Sequence, residues 1–233
     1  MVLLECRGLN KKYGQKQALK NVNIEVTAGK IVGLLGPNGS GKTTLIKLIN
    51  NLLTPTSGEV LINGKQPGVE SKSMISYLPE RTYFRRNMSV KKTLEFFADF
   101  YKDFDLKRAQ KLLKDLDLDE NQRISAMSKG MQEKVQLVLV MSRRAKLYIL
   151  DEPLGGVDPA TRDYILDTIL TNFNEKASLI ISTHLISDIE RILDEVIMIN
   201  KGQVVMHEEA DALRAKYKTS IDAIFRKELK NAR

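Results

Sequence analysis

The stretch GPNGSGKT at residues 36–43 decides the fold of this chain. It fits the pattern G-x-x-x-x-G-K-[ST], in which backbone N–H groups surround phosphate oxygens. An apolar run at 31–35 precedes it, and the segment 44–53 that follows has apolar residues at helical spacing. A strand before the loop and a helix after it distinguish a phosphate-binding loop from a chance match. The sequence therefore predicts a site for a phosphate-bearing ligand.

The residue types of the loop explain how it would bind a nucleotide. Glycines have no Cβ and let the backbone approach an anion closely. Lys42 is expected to reach the β- and γ-phosphates, and the Thr43 hydroxyl to coordinate Mg²⁺. The predicted nucleotide-binding residues of this segment are Gly36, Pro37, Asn38, Gly39, Ser40, Gly41, Lys42, Thr43 and Thr44.

Composition describes an ordinary globular chain of one large or two small domains. It has 233 residues, of which 28% are charged and 42% hydrophobic. Lys and Arg number 37 against 29 Asp and Glu, a net charge of +8 that raises the chance of an anionic partner. The basic residues are spread along the chain, so we expect no nucleic acid partner. With Cys6 alone, no internal disulfide forms, which fits a reducing compartment.

Neither a signal peptide nor a membrane span is expected. The first 14 residues lack a long apolar core and a cleavage-site pattern. The longest apolar run, 135–141, is interrupted by Gln136 and is too short to cross a bilayer. If the protein works at a membrane, another chain supplies the membrane part.

Periodicity predicts an α/β fold with a helical insertion. Strand patterns lie at 22–26, 58–65 and 75–78, so the first part of the chain is rich in β-structure. Between about 81 and 145, helices beginning near Ser89, Asp105 and Gly130 predominate. Strands at 147–150 and 179–182 then alternate with helices at 159–173 and 185–193, which predicts a largely parallel sheet.

Four segments follow from this pattern. The last of them has apolar residues at helical spacing, and we interpret it as a helix docked on the body rather than one that binds a partner or a membrane surface. The segments are an ATP-binding core with an N-terminal antiparallel β subdomain (1–80), a helical subdomain (81–145), the continued core (146–207) and a C-terminal amphipathic helix (208–233).

Polar residues end two of the predicted strands. Asp151 and Glu152 follow the apolar strand 147–150. Beside a phosphate loop, Asp151 is expected to bind Mg²⁺ and Glu152 to orient and deprotonate the attacking water. Ser182, Thr183 and His184 end the other strand, and His184 is expected to hydrogen-bond the γ-phosphate and that water.

Taken together, these motifs resemble the nucleotide-binding subunit of an ABC (ATP-binding cassette) transporter over residues 3–215. In order, the chain matches a Walker A loop (36–43), a signature segment (127–132), a Walker B strand (147–152), a D-loop (155–158) and a switch histidine, His184. The resemblance implies a P-loop ATPase that uses ATP and Mg²⁺ and works with an integral membrane permease. It also implies a cytoplasmic location, peripheral on the inner face of the cell membrane.

Further roles rest on the resemblance alone. Tyr13 lies where the family stacks an aromatic ring on adenine, although it is also an ordinary strand aromatic. The signature implies a head-to-tail dimer, either homomeric or heteromeric, in which it contacts the ATP of the other subunit. Its predicted contact residues are Ser128, Lys129, Gly130, Met131 and Gln132. The S-K-G-M form resembles the branch that exports drugs, antibiotics and peptides.

The chain departs from the family pattern in the signature segment, whose common form is L-S-G-G-Q, at Glu80 and in the D-loop. Glu80 replaces the usual Gln and is predicted as a metal ligand, because a carboxylate coordinates a hard cation. The D-loop reads Gly155-Gly156-Val157-Asp158, in which Asp158 also suits a helix cap. By resemblance, residues 81–87 form the groove that accepts a helix of the permease. Tyr83 and Phe84 would be its apolar contacts, and Arg85 and Arg86 its polar rim. The alternative is that this segment is a solvated loop.

Three alternatives to an exporter ATPase stay open at this stage. One is an ABC ATPase acting on ribosomes or DNA, against which the single uninterrupted cassette argues. Another is a nucleotide-dependent regulatory module with poor hydrolysis, against which Glu152 and His184 argue. The third is an importer ATPase, which fold alone does not exclude.

Overall fold

The computed structural model describes residues 1–84, 87–155, 159–173 and 176–231. An antiparallel sheet in the order β2–β1–β4 forms the N-terminal part. Its strands are β1 (Val2–Tyr13), β2 (Lys16–Thr27) and β4 (Ser57–Ile62). Val22, Ile24 and Val26 are buried, while the residues between them are exposed, as expected for a sheet with one covered face.

A second sheet has the order β5–β6–β7–β3–β8–β9 and is parallel except for the β8–β9 hairpin. Every residue of β6 is buried, as in a parallel strand with both faces covered. The strands are β3 (Ile31–Leu35), β5 (Ile75–Leu78), β6 (Leu147–Asp151), β7 (Ser178–Thr183), β8 (Glu195–Asn200) and β9 (Gln203–Glu209).

Helices cover this sheet and form the insertion between β5 and β6. Three of them begin at residues whose side-chain oxygen accepts from a backbone N–H of the first turn, namely Ser89, Asp105 and Ser128. The helices are α1 (Lys42–Ile49), α2 (Val69–Met74), α3 (Val90–Phe100), α4 (Leu106–Asp115), α5 (Lys129–Met141), α6 (Pro159–Asn172), α7 (Ile186–Ile189), α8 (Ala210–Tyr217) and α9 (Ile221–Asn231).

Two apolar clusters lie on opposite faces of the parallel sheet. Tyr148 and Leu150 of β6 pack with the helical insertion, while Leu147 and Ile149 pack with α1 and the antiparallel sheet. This alternation follows from the two-residue period of a strand. The α/β class with a largely parallel sheet, an antiparallel N-terminal sheet and inserted helices is thus confirmed.

The C-terminal segment differs from the single helix expected over 208–233. Strand β9 continues to Glu209, and α8 ends at Tyr217, followed by Lys218 in a left-handed conformation with φ of 51°. A second helix, α9, then packs against α7. Similarly, the helix expected at 185–193 is only α7 followed by a 3₁₀ turn at 190–192. Tertiary packing of short apolar segments overrides helical periodicity at both places.

Candidate active site

The carboxyl ends of three neighbouring strands meet at one edge of the parallel sheet. In the β6–β7 pair Asp151 lies opposite Ser182, and in the β7–β3 pair Thr183 lies opposite Leu35. The phosphate loop 36–43 follows β3, Glu152 follows Asp151, and His184 follows β7. The sheet therefore brings together the loop, the acidic pair and the histidine that the sequence placed far apart.

The phosphate loop is tightly folded around its own lysine. Lys42 is almost fully buried, and its Nζ donates to the Gly36 carbonyl oxygen at 2.7 Å. A Cβ at Gly36 would lie 2.4 Å from the Ile199 carbonyl oxygen and 2.5 Å from Ser40 Oγ, so this position requires glycine. The ammonium group is thus held across the loop, where the phosphates of a nucleotide are expected.

The turn between β8 and β9 supports the phosphate loop from the other side. Lys201 and Gly202 both have positive φ, as in a type I′ hairpin turn. The Gly202 N–H donates to the Ser40 carbonyl oxygen at 2.8 Å, and the Lys20 N–H donates to the Gly202 carbonyl oxygen at 2.8 Å. Gly202 therefore links the loop to β2.

We expect Gly202→Ala to destabilise the chain and to weaken ATP binding. The added Cβ would lie 2.7 Å from the Ala18 carbonyl oxygen, and φ of 79° is unfavourable for alanine. The left-handed conformation alone costs about 1–2 kcal/mol. Thermal unfolding and fluorescent ATP binding measure the two effects. Gly68→Ala is the control, because a Cβ there would meet nothing within 4 Å and φ is −165°. Equal stability of the two variants would contradict the prediction.

The two carboxylate oxygens of Asp151 differ in their hydrogen bonding. Ser182 Oγ donates to Asp151 Oδ1 at 2.5 Å, and Thr43 Oγ1 lies 3.5 Å from the same atom. Among the described residues, the buried Oδ2 has no hydrogen-bond partner. Burial raises the pKa of Asp151, and the hydrogen bonds from Ser182 and Thr43 oppose that shift. A buried, unpaired carboxylate oxygen beside a hydroxyl fits a hard cation such as Mg²⁺.

We expect Asp151→Asn to stabilise the chain in the absence of nucleotide and Mg²⁺. The amide keeps an acceptor for Ser182 and removes a buried charge, a change on the order of 1 kcal/mol. The midpoint of thermal unfolding should rise by about 2–4 °C for a chain of this size. Mg-ATP should then raise the midpoint of the wild type more than that of the variant. A variant less stable than the wild type without ligand would contradict this reading of the site.

Glu152 lies between a lysine and the histidine. Its Oε1 is 3.6 Å from Lys42 Nζ, and its Oε2 is 2.9 Å from His184 Nδ1. The Glu152 N–H donates to the Ser182 carbonyl oxygen at 3.0 Å, and φ is 52°. A non-glycine residue in this left-handed conformation is uncommon and is often found at functional sites. The backbone thus turns sharply to present this carboxylate beside Lys42.

Glu80 lies beside this centre, and Tyr13 lies on a neighbouring hairpin. Glu80, on the turn after β5, lines a cavity of about 30 Å³ together with Asp151 and Glu152. The half-exposed Tyr13 ends β1, with Lys11 Nζ 5.3 Å from its ring centroid. Ala18 and Leu19 of the same hairpin approach the loop, since a Cβ at Gly41 would lie 2.8 Å from the Ala18 carbonyl oxygen and from Leu19 Cδ2. Glu80 therefore lines this centre, while Tyr13 belongs to the hairpin whose second strand contacts the loop.

The signature residues form the start of α5. The Ser128 hydroxyl accepts from the Met131 N–H at 3.3 Å, and Gln132 Nε2 donates to the Met127 carbonyl oxygen at 3.1 Å. Lys129 Nζ lies 3.6 Å from Glu133 Oε1, and a Cβ on Gly130 would meet nothing within 4 Å. In the part of the chain that the structure describes, no hydrogen bond or ion pair joins these residues to 36–44. Asp158 of the D-loop lies outside the described residues.

Sequence reasoning did not identify Ser182 and Gly202 as supports of the site. The signal for Ser182 was its place one residue before the end of a buried strand beside Asp151. The signal for Gly202 was the Asn-Lys-Gly turn at 200–202 between two apolar runs. Ser182 acts through its hydroxyl and Gly202 through its backbone. Both contacts depend on the order of the strands in the sheet, and a local sequence pattern does not determine that order.

A glycine-rich loop that encloses a lysine, beside acidic residues at the end of a parallel strand, defines a P-loop nucleoside triphosphatase. The family model described as "ABC transporter" matches residues 19–155, and the chain belongs to this family. Its enzymatic activity is accordingly that of an ATPase. Cassettes of this family work with membrane subunits and form dimers.

Similar proteins agree with this assignment. An uncharacterized ABC transporter ATP-binding protein, YdbJ of Bacillus subtilis (strain 168), is 36% identical, covering 87% of this chain and 68% of the relative. The SkfA peptide export ATP-binding protein SkfE of the same organism is 31% identical, covering 88% of each. A solved structure of an ATP-binding subunit of an ABC transporter superposes with a TM-score of 0.87 at 29% identity, covering 97% of this chain and 98% of the other.

Within residues 1–84, 87–155, 159–173 and 176–231, none of the helices has the length and apolar character needed to cross a bilayer.

Proposed function

We propose that the chain is the motor subunit of an exporter that moves a drug, antibiotic or peptide through a separate membrane subunit. The placement of Glu152 between Lys42 and His184 at the phosphate loop carries the proposal of a competent motor. The similarity to SkfE, whose name describes peptide export, supports the direction and the class of cargo.

In the proposed reaction, each side chain has one task. Lys42 contacts the phosphates, and Tyr13 stacks on the adenine. Glu152 accepts a proton from the attacking water, and His184 holds that water and the γ-phosphate through hydrogen bonds. The side chains of Thr43, Asp151 and Glu80 would hold Mg²⁺. When bound, the ion would neutralise charge on the phosphate oxygens.

The signature segment supports a proposed dimer with two ATPs at its interface. Gly130 is open on its outer side, and the first N–H groups of α5 point away from the helix body. A helix N-terminus of this kind binds anions readily. The segment would therefore contact the γ-phosphate bound to a second cassette, which is either another copy or a related chain.

A groove beside the helical insertion is the proposed docking site for the membrane subunit. It encloses about 870 Å³. Three aromatic residues that line the groove are each at least half exposed, namely Tyr83, Phe96 and Phe100. Phe84 instead packs against the core, and Arg85 and Arg86 lie outside the described residues. Exposed aromatic side chains in a concave surface are typical of protein interfaces.

The charges around this groove indicate the chemistry of the docked segment. Lys47, Lys72 and Arg81 line its rim, and its lining contains no Asp or Glu among the described residues. Arg143, at its floor, is already paired with Asp103 at 3.0 Å. A segment with apolar anchors flanked by acidic residues would fit best. Docking of such a permease segment would place the chain on the inner face of the membrane.

Site-specific cross-linking in the native host tests the docking proposal. Cys6 is buried, which raises its pKa to about 12, so an introduced thiol reacts selectively. A maleimide cross-linker on Phe100→Cys should capture an integral membrane protein. The matched control is Val205→Cys, on β9 outside the groove lining and also more than half exposed. Equal capture by both variants would contradict docking at the groove.

Transport direction is tested in cells in which Glu152→Gln replaces the wild-type chain. An exporter motor that cannot turn over should raise accumulation of a labelled antimicrobial peptide or drug. Lower accumulation in the variant would indicate import, and unchanged accumulation over a broad panel of cargo would contradict this class of exporter.

A further inference from the structure

Gln136 is a polar residue within the apolar run 135–141 of α5. Its side chain is 2% exposed, and its neighbours Val135 and Leu137 are buried as well. A buried amide is costly unless it is hydrogen-bonded, so such a residue usually has a specific partner. The proposed function above gives Gln136 no task.

The partner of Gln136 is the turn that carries Glu80. Gln136 Nε2 donates to the Pro79 carbonyl oxygen at 3.0 Å. That carbonyl belongs to the peptide group joining Pro79 to Glu80, so its position determines where the Glu80 backbone begins. Gln136, Glu80 and Asp151 also line the same cavity of about 30 Å³. This space is large enough for about one water molecule.

Gln136 therefore connects two functional segments through one hydrogen bond. It lies on α5, the helix that starts at the signature residue Ser128. The Pro79–Glu80 turn ends β5, which pairs with β6, the strand that ends at Asp151. A movement of α5 would be passed to Glu80 directly, without rearrangement of the sheet.

We infer that Gln136 is a positioning residue that fixes Glu80 relative to Asp151 and so sets the affinity of the site for its divalent cation. The inference rests on the metal role proposed for Glu80. Through the same bond, the position of Glu80 depends on the helix whose start faces the second cassette. Loss of the amide donor frees the Pro79 carbonyl and lets the turn move away from Asp151.

The chain offers a matched control for a merely structural role. Ser76 Oγ donates to the Val140 carbonyl oxygen at 2.8 Å, a buried side-chain hydrogen bond between β5 and α5. It joins the same helix to the strand before the Glu80 turn but does not reach that turn. Ser76→Ala and Gln136→Met should therefore both lower thermal stability, while only Gln136→Met should alter the metal site.

Mn²⁺ affinity of the full chain, loaded with a non-hydrolysable ATP analogue, gives the direct test. Free Mn²⁺ is counted by electron paramagnetic resonance, independently of turnover. Gln136→Met should weaken Mn²⁺ binding about tenfold, the lower end of the effect of residues that orient metal ligands. Ser76→Ala should bind Mn²⁺ like the wild type. If Gln136→Met does not fold, Gln136→Asn, whose shorter amide does not reach Pro79, carries the same expectation.

A double-variant cycle separates this inference from the proposed function. In a Glu80→Ala background, Gln136→Met should have no further effect on Mn²⁺ affinity. A remaining effect, or unchanged affinity of Gln136→Met in the wild-type background, would overturn the positioning role alone. Unchanged affinity of Glu80→Ala by itself would remove Glu80 from the metal site, and the inference with it.

Discussion

Replacing Glu152 with glutamine is expected to lower ATP turnover by about 10²–10⁴-fold, the usual contribution of a general base. The amide retains the size of the side chain and a hydrogen-bond acceptor for His184, but it does not take a proton from water. ATP binding should persist, because Lys42 and the loop are unchanged. Steady-state phosphate release and binding of a fluorescent ATP analogue measure the two quantities on one preparation.

The same variant should also accumulate as a dimer in Mg-ATP. Without hydrolysis, the two cassettes stay closed around their nucleotides, which size-exclusion chromatography detects. Glu59→Gln is the control, since Glu59 pairs with Arg7 on the exposed antiparallel sheet. Wild-type turnover in Glu152→Gln would remove this residue from the mechanism. Loss of ATP binding would assign it to the nucleotide site instead.

Replacing Lys42 with alanine is expected to weaken ATP binding itself by about 10–100-fold, the value of a hydrogen bond to a charged group. The ammonium is buried against the Gly36 carbonyl and lies 3.6 Å from Glu152. Its removal takes away the positive charge of the loop and leaves the Glu152 carboxylate without the neighbouring lysine cation. Both changes disfavour an anionic ligand. Isothermal titration with ATP in the presence of Mg²⁺ measures the loss.

A surface lysine provides the comparison for Lys42. Lys65 is exposed and its Nζ lies 2.9 Å from Glu70 Oε2, so Lys65→Ala removes the same charge outside the loop. It should bind ATP like the wild type. If both variants bound ATP equally well, the phosphate-loop role of Lys42 would be contradicted. If Lys42→Ala lost turnover but kept affinity, the lysine would act only in the transition state.

Local patterns were sufficient for the elements that surround the site. The loop 36–43, the caps at Ser89 and Asp105, and the apolar strand before Asp151 each have a short-range physical cause. These local interactions are the same in the folded chain, because they depend only on residues close in sequence. The two-sheet α/β arrangement was accessible for the same reason, since strand and helix signals alternate clearly after residue 146.

What the sequence did not reveal depends on contacts between distant segments. The sequence analysis assigned no bounds to strands β1, β8 and β9, and their places in the sheets depend on the pairing of β1 with β4 and of β8 with β3, which are distant in the chain. The hydroxyl of Ser182 bonds to Asp151 because β7 pairs with β6, and this pairing is not encoded in either segment alone. The tie from Gln136 to Pro79 likewise joins residues 57 positions apart, beyond any helix or strand period.

The link between Ser40 and Gly202 bears on how the chain acquires its ligand. During synthesis the phosphate loop leaves the ribosome long before the hairpin turn that supports it. Until Gly202 joins β2 and the loop, the nucleotide meets an unsupported segment. We therefore expect tight binding only once the late strands have formed, so that ATP stabilises the completed fold by mass action. Cellular ATP would in this way favour finished chains over partly folded ones.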